Sequence, residues 1–165
     1  MIQINPEHID ALLPLINNSP YFQLLNMKVC ELKKAYSKVV VELGPKHRNP
    51  FGGVHGGVYA SAIDTAAYWA AYCEMGEDVG YTSVDVSVHN LSLIQEGALI
   101  VEGRTIKSGR SLFLCQAAAT DEKGKIIAYG TSKLMVLKDK QSIHQAIQAM
   151  KAQALPCKFV DGDEM

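Results

Sequence analysis

Residues 58–75 constrain the fold more than any other segment, because they predict one long helix that is apolar on nearly every side. Their alanine content favours helix, and the apolar residues are not confined to a single stripe. Such a helix must be surrounded by protein, so we expect a sheet and a second subunit to wrap it. Gly, Ala and the charged Asp64 contribute weakly or adversely to membrane insertion, which favours a buried helix over a membrane span.

The segments on either side of this helix predict strands. Residues 27–43 indicate one or two strands, and residues 82–137 indicate an antiparallel meander of four segments joined by short turns. Apolar residues alternate with polar ones up to Val88 and then continue at Leu91 on the opposite parity. This change of parity predicts a bulge near Asn90.

The order of these elements predicts a single α+β domain, in which a helix packs on an antiparallel sheet. Its core should cover about residues 22–138. A short helix over residues 6–18 should precede the core, with Pro14 expected to kink or end it. An amphipathic helical tail over residues 141–155 should follow, and its sequence indicates no function for it.

The composition disfavours several classes of function. A net charge of −1 gives no electrostatic reason to expect nucleic acid or an anionic membrane surface as a partner. The four cysteines lie far apart, without a C-x-x-C pair or a histidine spacing suited to zinc. The first ten residues lack a basic region followed by an apolar run, so we expect a cytoplasmic protein with reduced thiols.

The start of the long helix carries two adjacent glycines, Gly56 and Gly57. Glycines let a ligand approach the backbone, and the first helical turn has unpaired N–H groups at the positive end of the helix dipole. A carbonyl oxygen that gains negative charge would be stabilised there, as in an oxyanion hole. Asp64 is the one acidic residue between residues 49 and 73, and an apolar site makes a carboxylate more basic, which suits a general base or nucleophile.

The spacing of these residues predicts a dimer. Asp64 lies seven residues after Gly57, so both positions point to one side of the helix but are separated by roughly 10 Å of helical rise. One helix therefore cannot place its own Asp64 beside its own N-terminal N–H groups. Two helices packed antiparallel across a two-fold axis could, because Asp64 of one subunit would meet Gly57 of the partner subunit.

The spacing N-x-x-G-x-V-H-G-G over residues 49–57, with Asp64 nine residues after His55, resembles that of the hotdog-fold acyl-CoA thioesterases. TSVDVSVHNL and SGRS further along resemble the same enzymes, and the PaaI-like, phenylacetate-degradation branch of the 4-hydroxybenzoyl-CoA thioesterase superfamily is the most similar. The resemblance implies a hotdog fold, in which an antiparallel sheet wraps a central helix. It also implies hydrolysis of an acyl-CoA without a metal or cofactor, by a homodimer or a homotetramer.

The resemblance also implies roles for individual residues. Asp64 corresponds to the carboxylate that attacks the thioester carbonyl or activates the water, and the N–H of Gly57 of the partner subunit would polarise the carbonyl oxygen. Asn49 and His55 would position the thioester or the water, and His55 would also cap or orient the glycine turn. Gly56 would bind substrate in the same turn.

Two further segments match the family pattern. Ser83, at the start of the strand after the helix, corresponds to a polar residue that places the nucleophilic water, with Thr82 as the alternative for this role. Gly109, Arg110 and Ser111 fall where such enzymes hold the phosphates or nucleotide of coenzyme A. The planar, permanently charged guanidinium of Arg110 suits that task.

Each candidate also has a purely structural interpretation. Asp64 could be a structural carboxylate, Asn49 could shape an Asx-turn, and His55 could be a packed turn histidine. Ser83 could be an ordinary strand residue and Arg110 a solvated one. Four aromatic residues of the helix are expected to serve core and dimer packing rather than to form an aromatic cage: Tyr59, Tyr68, Trp69 and Tyr72.

Two other functions fit the sequence. A hotdog hydratase or dehydratase of enoyl-thioesters typically depends on a His–acid pair across a tunnel, whereas His55 here accompanies glycines and a helical Asp64. A non-catalytic acyl-CoA binding protein would bind its ligand tightly and release no thiol. The acyl group stays open, because Tyr and Ala near the helix allow aryl, short and medium chains alike.

Overall fold

The computed structural model describes residues 2–162. Its longest helix occupies the segment predicted for it, although it begins two residues earlier and ends three residues earlier. None of the helices within residues 2–162 combines the length and apolarity needed to cross a bilayer. The four helices are α1 (Pro6–Asn17), α2 (Pro20–Leu24), α3 (Gly56–Tyr72) and α4 (Ile143–Ala149).

A six-stranded antiparallel sheet wraps around α3. The strands of the described chain are β1 (Ile2–Ile4), β2 (Met27–Lys33), β3 (Tyr36–Glu42), β4 (Gly80–Asn90), β5 (Ala98–Ser108), β6 (Leu112–Thr120), β7 (Ile126–Leu137) and β8 (Phe159–Asp161). The large sheet has the order β2-β3-β5-β6-β7-β4, so β2 and β4 are its edges, while β1 and β8 pair in a separate small sheet. The predicted α+β class and hotdog arrangement are confirmed, but the pairing of β1 with β8 was not foreseen.

The core lies between α3 and the sheet, and small residues let the two approach closely. Five alanines of α3 have no exposed surface. The Ser37 hydroxyl of β3 donates to the Ala66 carbonyl at 2.6 Å, and a Cβ added at Gly103 of β5 would lie 2.2 Å from the same oxygen. This contact seats α3 against the sheet two residues after Asp64, so the position of the carboxylate depends on it.

The bulge predicted near Asn90 is wrong. β4 pairs in regular register with β7 from Asp85 to Asn90, and the register shift falls instead between Ser83 and Asp85. Beyond Asn90 the chain leaves the strand, and the Leu91 N–H donates to the Ile127 carbonyl at 2.8 Å. The change of apolar parity in the sequence therefore marks the end of a strand.

The helices at the two ends also differ from expectation. α1 continues past Pro14 to Asn17, so the proline does not end it. A second helix, α2, begins directly afterwards with Pro20 at its first position, where a missing N–H breaks no helical hydrogen bond. The tail helix predicted over residues 141–155 is shorter than expected. It covers Ile143–Ala149, and Met150 is its C-cap.

The N-terminal helix and the tail meet at the C-terminal end of α3. Asn5 caps α1 and its side-chain amide donates to the Cys157 carbonyl at 2.8 Å. The buried His8 ring contacts the Pro156 carbonyl through Nδ1 at 2.7 Å and the Tyr72 hydroxyl through Nε2 at 2.6 Å. These contacts fasten α1 and the tail to the last residue of α3.

Lys158 is buried in the same region, with 1% of its surface exposed. Its ammonium group donates to the carbonyls of Met75 at 2.9 Å and Gly76 at 3.4 Å, and it lies 3.8 Å from the centroid of the Tyr72 ring. Burial, partly opposed by nearby acidic groups, lowers the pKa of Lys158 to about 8.

This lowered pKa makes the contribution of Lys158 to stability depend on pH. Between pH 8 and 10.5 the unfolded chain keeps a proton on this lysine that the folded chain releases, so the contribution rises with pH. Between about pH 7 and 10, we expect the free energy of unfolding of the wild type minus that of Lys158→Met to increase by about 2 kcal/mol. Urea titrations of both proteins at each pH measure the difference.

Taking the difference between the two proteins removes a competing effect. Burial raises the pKa of the Cys115 thiol to about 11, which lowers stability with rising pH in both proteins alike. A difference that stays constant from neutral to alkaline pH would contradict the assignment of the effect to Lys158.

Candidate active site

Asp64 lies two turns into α3, is half-buried and accepts hydrogen bonds from two serines. The Ser83 hydroxyl of β4 donates to Oδ1 at 2.6 Å, and the Ser132 hydroxyl of β7 donates to the same oxygen at 3.3 Å. No donor among the described residues 2–162 engages Oδ2. A carboxylate held through one oxygen can use the other to take a proton from water or to attack a carbonyl carbon.

The two serines differ in how far the sequence indicated them. Ser83 was one of two alternatives, and it rather than Thr82 contacts Asp64. Ser132 was missed, although it is fully buried and follows Ala128 and Gly130 on the inward face of β7. A single hydroxyl among small apolar residues on an inward face is the signal that could have identified it, because buried hydroxyls need a partner.

The glycine turn is held by His55, which caps the N-terminus of α3. The ring Nδ1 of His55 accepts a hydrogen bond from the Gly57 N–H at 2.9 Å, and the backbone N–H of His55 donates to the His47 carbonyl at 2.8 Å. The expectation that His55 caps the turn is therefore confirmed. The Gly57 N–H is hydrogen-bonded to the His55 ring in this structure. The ring must release this N–H before the N–H can bind a thioester oxygen. The Gly56 N–H has no partner within residues 2–162.

Asn49 forms an Asx-turn in the loop before α3. Its side-chain oxygen accepts from the Phe51 N–H at 2.9 Å, and its backbone N–H donates to the Gly53 carbonyl at 2.8 Å. Gly52, inside the loop, has a φ of +87°, which favours glycine. The structural role of Asn49 is thus visible, while its role towards a substrate stays a prediction.

The SGRS segment forms an exposed turn between β5 and β6. A Cβ at Gly109 would lie 2.6 Å from the Leu112 carbonyl, so the tight turn requires glycine there. Arg110 and Ser111 are both exposed. The Arg110 guanidinium forms no ion pair with the described part of the chain, which leaves it available to a phosphate.

A cavity of about 320 Å³ opens beside Asp64. Tyr68, Trp69 and Tyr72 of α3 and Tyr81 of β4 line it. The rings of Tyr68 and Tyr81 stack with their centroids 4.1 Å apart, and each hydroxyl donates to the backbone carbonyl of the other residue. The core packing expected of the helix aromatics Tyr68, Trp69 and Tyr72 is confirmed. The same three residues also border the open space next to the carboxylate.

Residues 51–128 match the family model described as the thioesterase superfamily. The chain is therefore similar to the thioesterase superfamily across these residues. Acyl-coenzyme A thioesterase 13 of Mus musculus is 28% identical to it over 115 residues, which cover 67% of this chain and 81% of the mouse protein.

Two solved structures show the same fold as this chain. A thioesterase from Haemophilus influenzae superposes with a TM-score of 0.75 at 20% identity, over 84% of this chain and 96% of that one. The E. coli PaaI protein, from the phenylacetic acid degradation operon, superposes with a TM-score of 0.72 at 14% identity, over 82% and 97%.

The matched span contains Asp64, Ser83 and the glycine turn, whereas Ser132 and α4 lie beyond it. Asp64 and Ser83 are in contact, but the glycine turn is at the tip of the same helix, roughly 10 Å of helical rise away. The pairing of Asp64 with Gly57 of the partner subunit therefore stays a prediction. Across the residues that the structure describes, no three His, Cys, Asp or Glu side chains are grouped to hold a metal ion.

Ser83→Ala is expected to lower kcat for thioester hydrolysis about tenfold, because it removes a hydrogen bond to a charged group worth about 1.5–3 kcal/mol. Ser87→Ala is the matched control, since Ser87 lies on the same strand and is exposed. Steady-state kinetics of both variants measure the effect. Equal rates in the two variants would show that the Ser83 hydroxyl does not support the reaction.

Proposed function

We propose that the protein hydrolyses an acyl-CoA thioester to the free acid and coenzyme A. One observation carries the proposal: Asp64, held by the Ser83 hydroxyl, borders a largely apolar cavity in a chain that is similar to the thioesterase superfamily. The relative named acyl-coenzyme A thioesterase supports a coenzyme A thioester as the substrate class.

Asp64 is proposed to act through the oxygen that Ser83 does not hold. As a general base it takes a proton from water, the water oxygen bonds to the thioester carbonyl carbon, the C–S bond breaks, and the coenzyme A thiolate leaves and is protonated. As a nucleophile it bonds to that carbon itself, the C–S bond breaks, and the coenzyme A thiolate leaves and is protonated. Water then hydrolyses the mixed anhydride to the free acid and regenerates the Asp64 carboxylate. Both routes give the same products, and both need donors for the carbonyl oxygen.

The edge strand β4 supports a second subunit at this site. β4 is 11 residues long and ends the sheet, with Val84 51% exposed and Val86 39% exposed. A long edge strand with exposed apolar side chains is a template for pairing with another chain. Pairing of two β4 strands about a two-fold axis would extend the sheet and set two α3 helices side by side, as the proposed role of Gly57 of the partner subunit requires.

Mixed dimers test whether the site is shared between subunits. Asp64→Asn and Gly57→Val would each be inactive alone, the latter because a side chain at Gly57 meets the His55 ring at 3.0 Å. If the site combines Asp64 of one chain with Gly57 of the partner subunit, coexpression of the two variants restores one intact site per mixed dimer. Random pairing should then give about one quarter of wild-type activity.

Absence of this recovery in mixed dimers of the correct size would contradict the shared site while leaving hydrolysis open. Hydrolysis itself is tested by thiol release over a panel of acyl-CoA substrates. Loss of the conjugated double bond of an enoyl-CoA, without thiol release, would instead identify a hydratase. Tight binding without either reaction would identify an acyl-CoA binding protein.

A further inference from the structure

The C-terminal segment, residues 141–150, forms one wall of the cavity beside Asp64. Ile143 and Ala146 of α4, and Met150 at its end, all line this cavity. Their spacing of three and four residues places them on one face of the helix. Ala149, in the same helix, is exposed and does not line the cavity. The segment lies outside the matched residues 51–128, so this wall is an addition to the part of the domain that the family model matches.

The remaining walls are largely apolar, although Ser19 and Thr65 also line the cavity. α3 contributes Tyr68 and Trp69, and α1 contributes Leu15 and Ile16. Asp64 supplies the one carboxylate of the lining. A largely apolar pocket that borders a carboxylate fits an acyl group whose carbonyl lies beside that carboxylate.

Contacts before, within and after α4 hold the wall in place. A Cβ at Gly80 would lie 1.6 Å from the Lys140 carbonyl, so the chain entering α4 packs directly on β4. The His144 ring lies 2.8 Å from an Asp78 carboxylate oxygen. Beyond α4, the buried Lys158 fastens the tail to the end of α3. The wall is therefore a fixed part of the fold.

The cavity volume limits what this wall can enclose. A cavity of about 150 Å³ is large enough to hold benzene. The 320 Å³ beside Asp64 is about twice that, which suits a compact acyl group of up to about two rings or a short chain. A long fatty acyl chain exceeds this volume.

From this we infer that residues 141–150 set the upper size limit of the acyl group, and that the tail restricts the enzyme to compact acyl-CoA substrates. The inference rests on the proposed function for its substrate class. Neither the matched domain nor the sequence of the tail indicates this role.

Two phenylalanine substitutions in the same helix test the inference. Ala146→Phe fills the cavity and is expected to lower kcat/KM for benzoyl-CoA and octanoyl-CoA at least about tenfold, with a smaller effect on acetyl-CoA. Ala149→Phe adds the same side chain on the exposed face and is expected to keep the wild-type profile. Met150→Ala enlarges the cavity and should raise the activity with lauroyl-CoA relative to octanoyl-CoA.

Trp69 gives a readout that does not depend on hydrolysis. It is the only tryptophan of the chain and it lines the cavity, so its fluorescence reports an acyl group in the pocket. Titration with benzoyl-CoA should change the emission of the wild type and of Ala149→Phe, and Ala146→Phe should bind at least about tenfold more weakly.

The outcomes separate the two proposals. If Ala146→Phe weakens benzoyl-CoA binding but no substrate releases thiol, the role of the tail in the pocket is supported and the proposed hydrolysis is contradicted. If the wild type, Ala146→Phe and Met150→Ala hydrolyse acyl-CoA substrates with the same dependence on acyl size, the role of the tail is contradicted and the proposed hydrolysis is supported. If Ala146→Phe does not fold, Met150→Ala alone decides, and an unchanged profile in that variant overturns the inference.

Discussion

Asp64→Asn is expected to lower kcat by about three orders of magnitude, the range typical of a lost general base. Asparagine keeps the shape of the side chain, and its oxygen can still accept the Ser83 hydrogen bond. It cannot take a proton from water or attack the carbonyl carbon, so the chemistry is lost while the fold is kept. Thiol release under saturating substrate measures the effect, and thermal unfolding checks that the variant is folded.

Asp85→Asn is the matched control for this experiment. Asp85 is a carboxylate of the adjacent strand, exposed and paired with Lys133 at 2.9 Å. The same chemical change there removes only a surface ion pair, which contributes about 0–1 kcal/mol. Turnover by Asp64→Asn within tenfold of the wild type would remove Asp64 from the mechanism.

Gly103→Ala is expected to destabilise the protein by about 3 kcal/mol or more, because the added methyl group would lie 2.2 Å from the Ala66 carbonyl and 2.7 Å from the Ser37 hydroxyl. Neither atom is the flexible end of a long side chain, so α3 itself must move away from β5. The expected fall in Tm is roughly 10 °C for a chain of this size. Activity should fall as well, since α3 carries Asp64.

Gly44→Ala separates this clash from the general effect of replacing a glycine. Gly44 has an extended backbone, with a φ of −160°, and no atom within 4 Å of an added Cβ. Its expected effect on the free energy of unfolding is within about 0.5 kcal/mol. Equal melting temperatures for the two variants would show that α3 tolerates displacement from the sheet at Gly103.

Part of the candidate site could be predicted from local sequence. The lone carboxylate in an alanine-rich helix drew attention to Asp64. The family resemblance, not the local sequence, indicated that His55 caps that helix and that Ser83 places the water, and the contact of Ser83 with Asp64 was not predicted. Ser132 was missed because its contact with Asp64 spans 68 residues of sequence and depends on the register of β7 with β4.

The sequence by itself determined the long buried helix, the antiparallel sheet around it and the carboxylate. These features depend on the hydrophobic periodicity and the residue sizes within single segments, which can be read from the sequence directly. Only the tertiary structure decided that Tyr68 and Trp69 border a cavity and that α4 closes it. A buried aromatic residue looks the same in sequence whether it meets another side chain or open space. That distinction depends on how distant segments pack, and here the tail arrives from more than 70 residues away along the chain to complete the pocket.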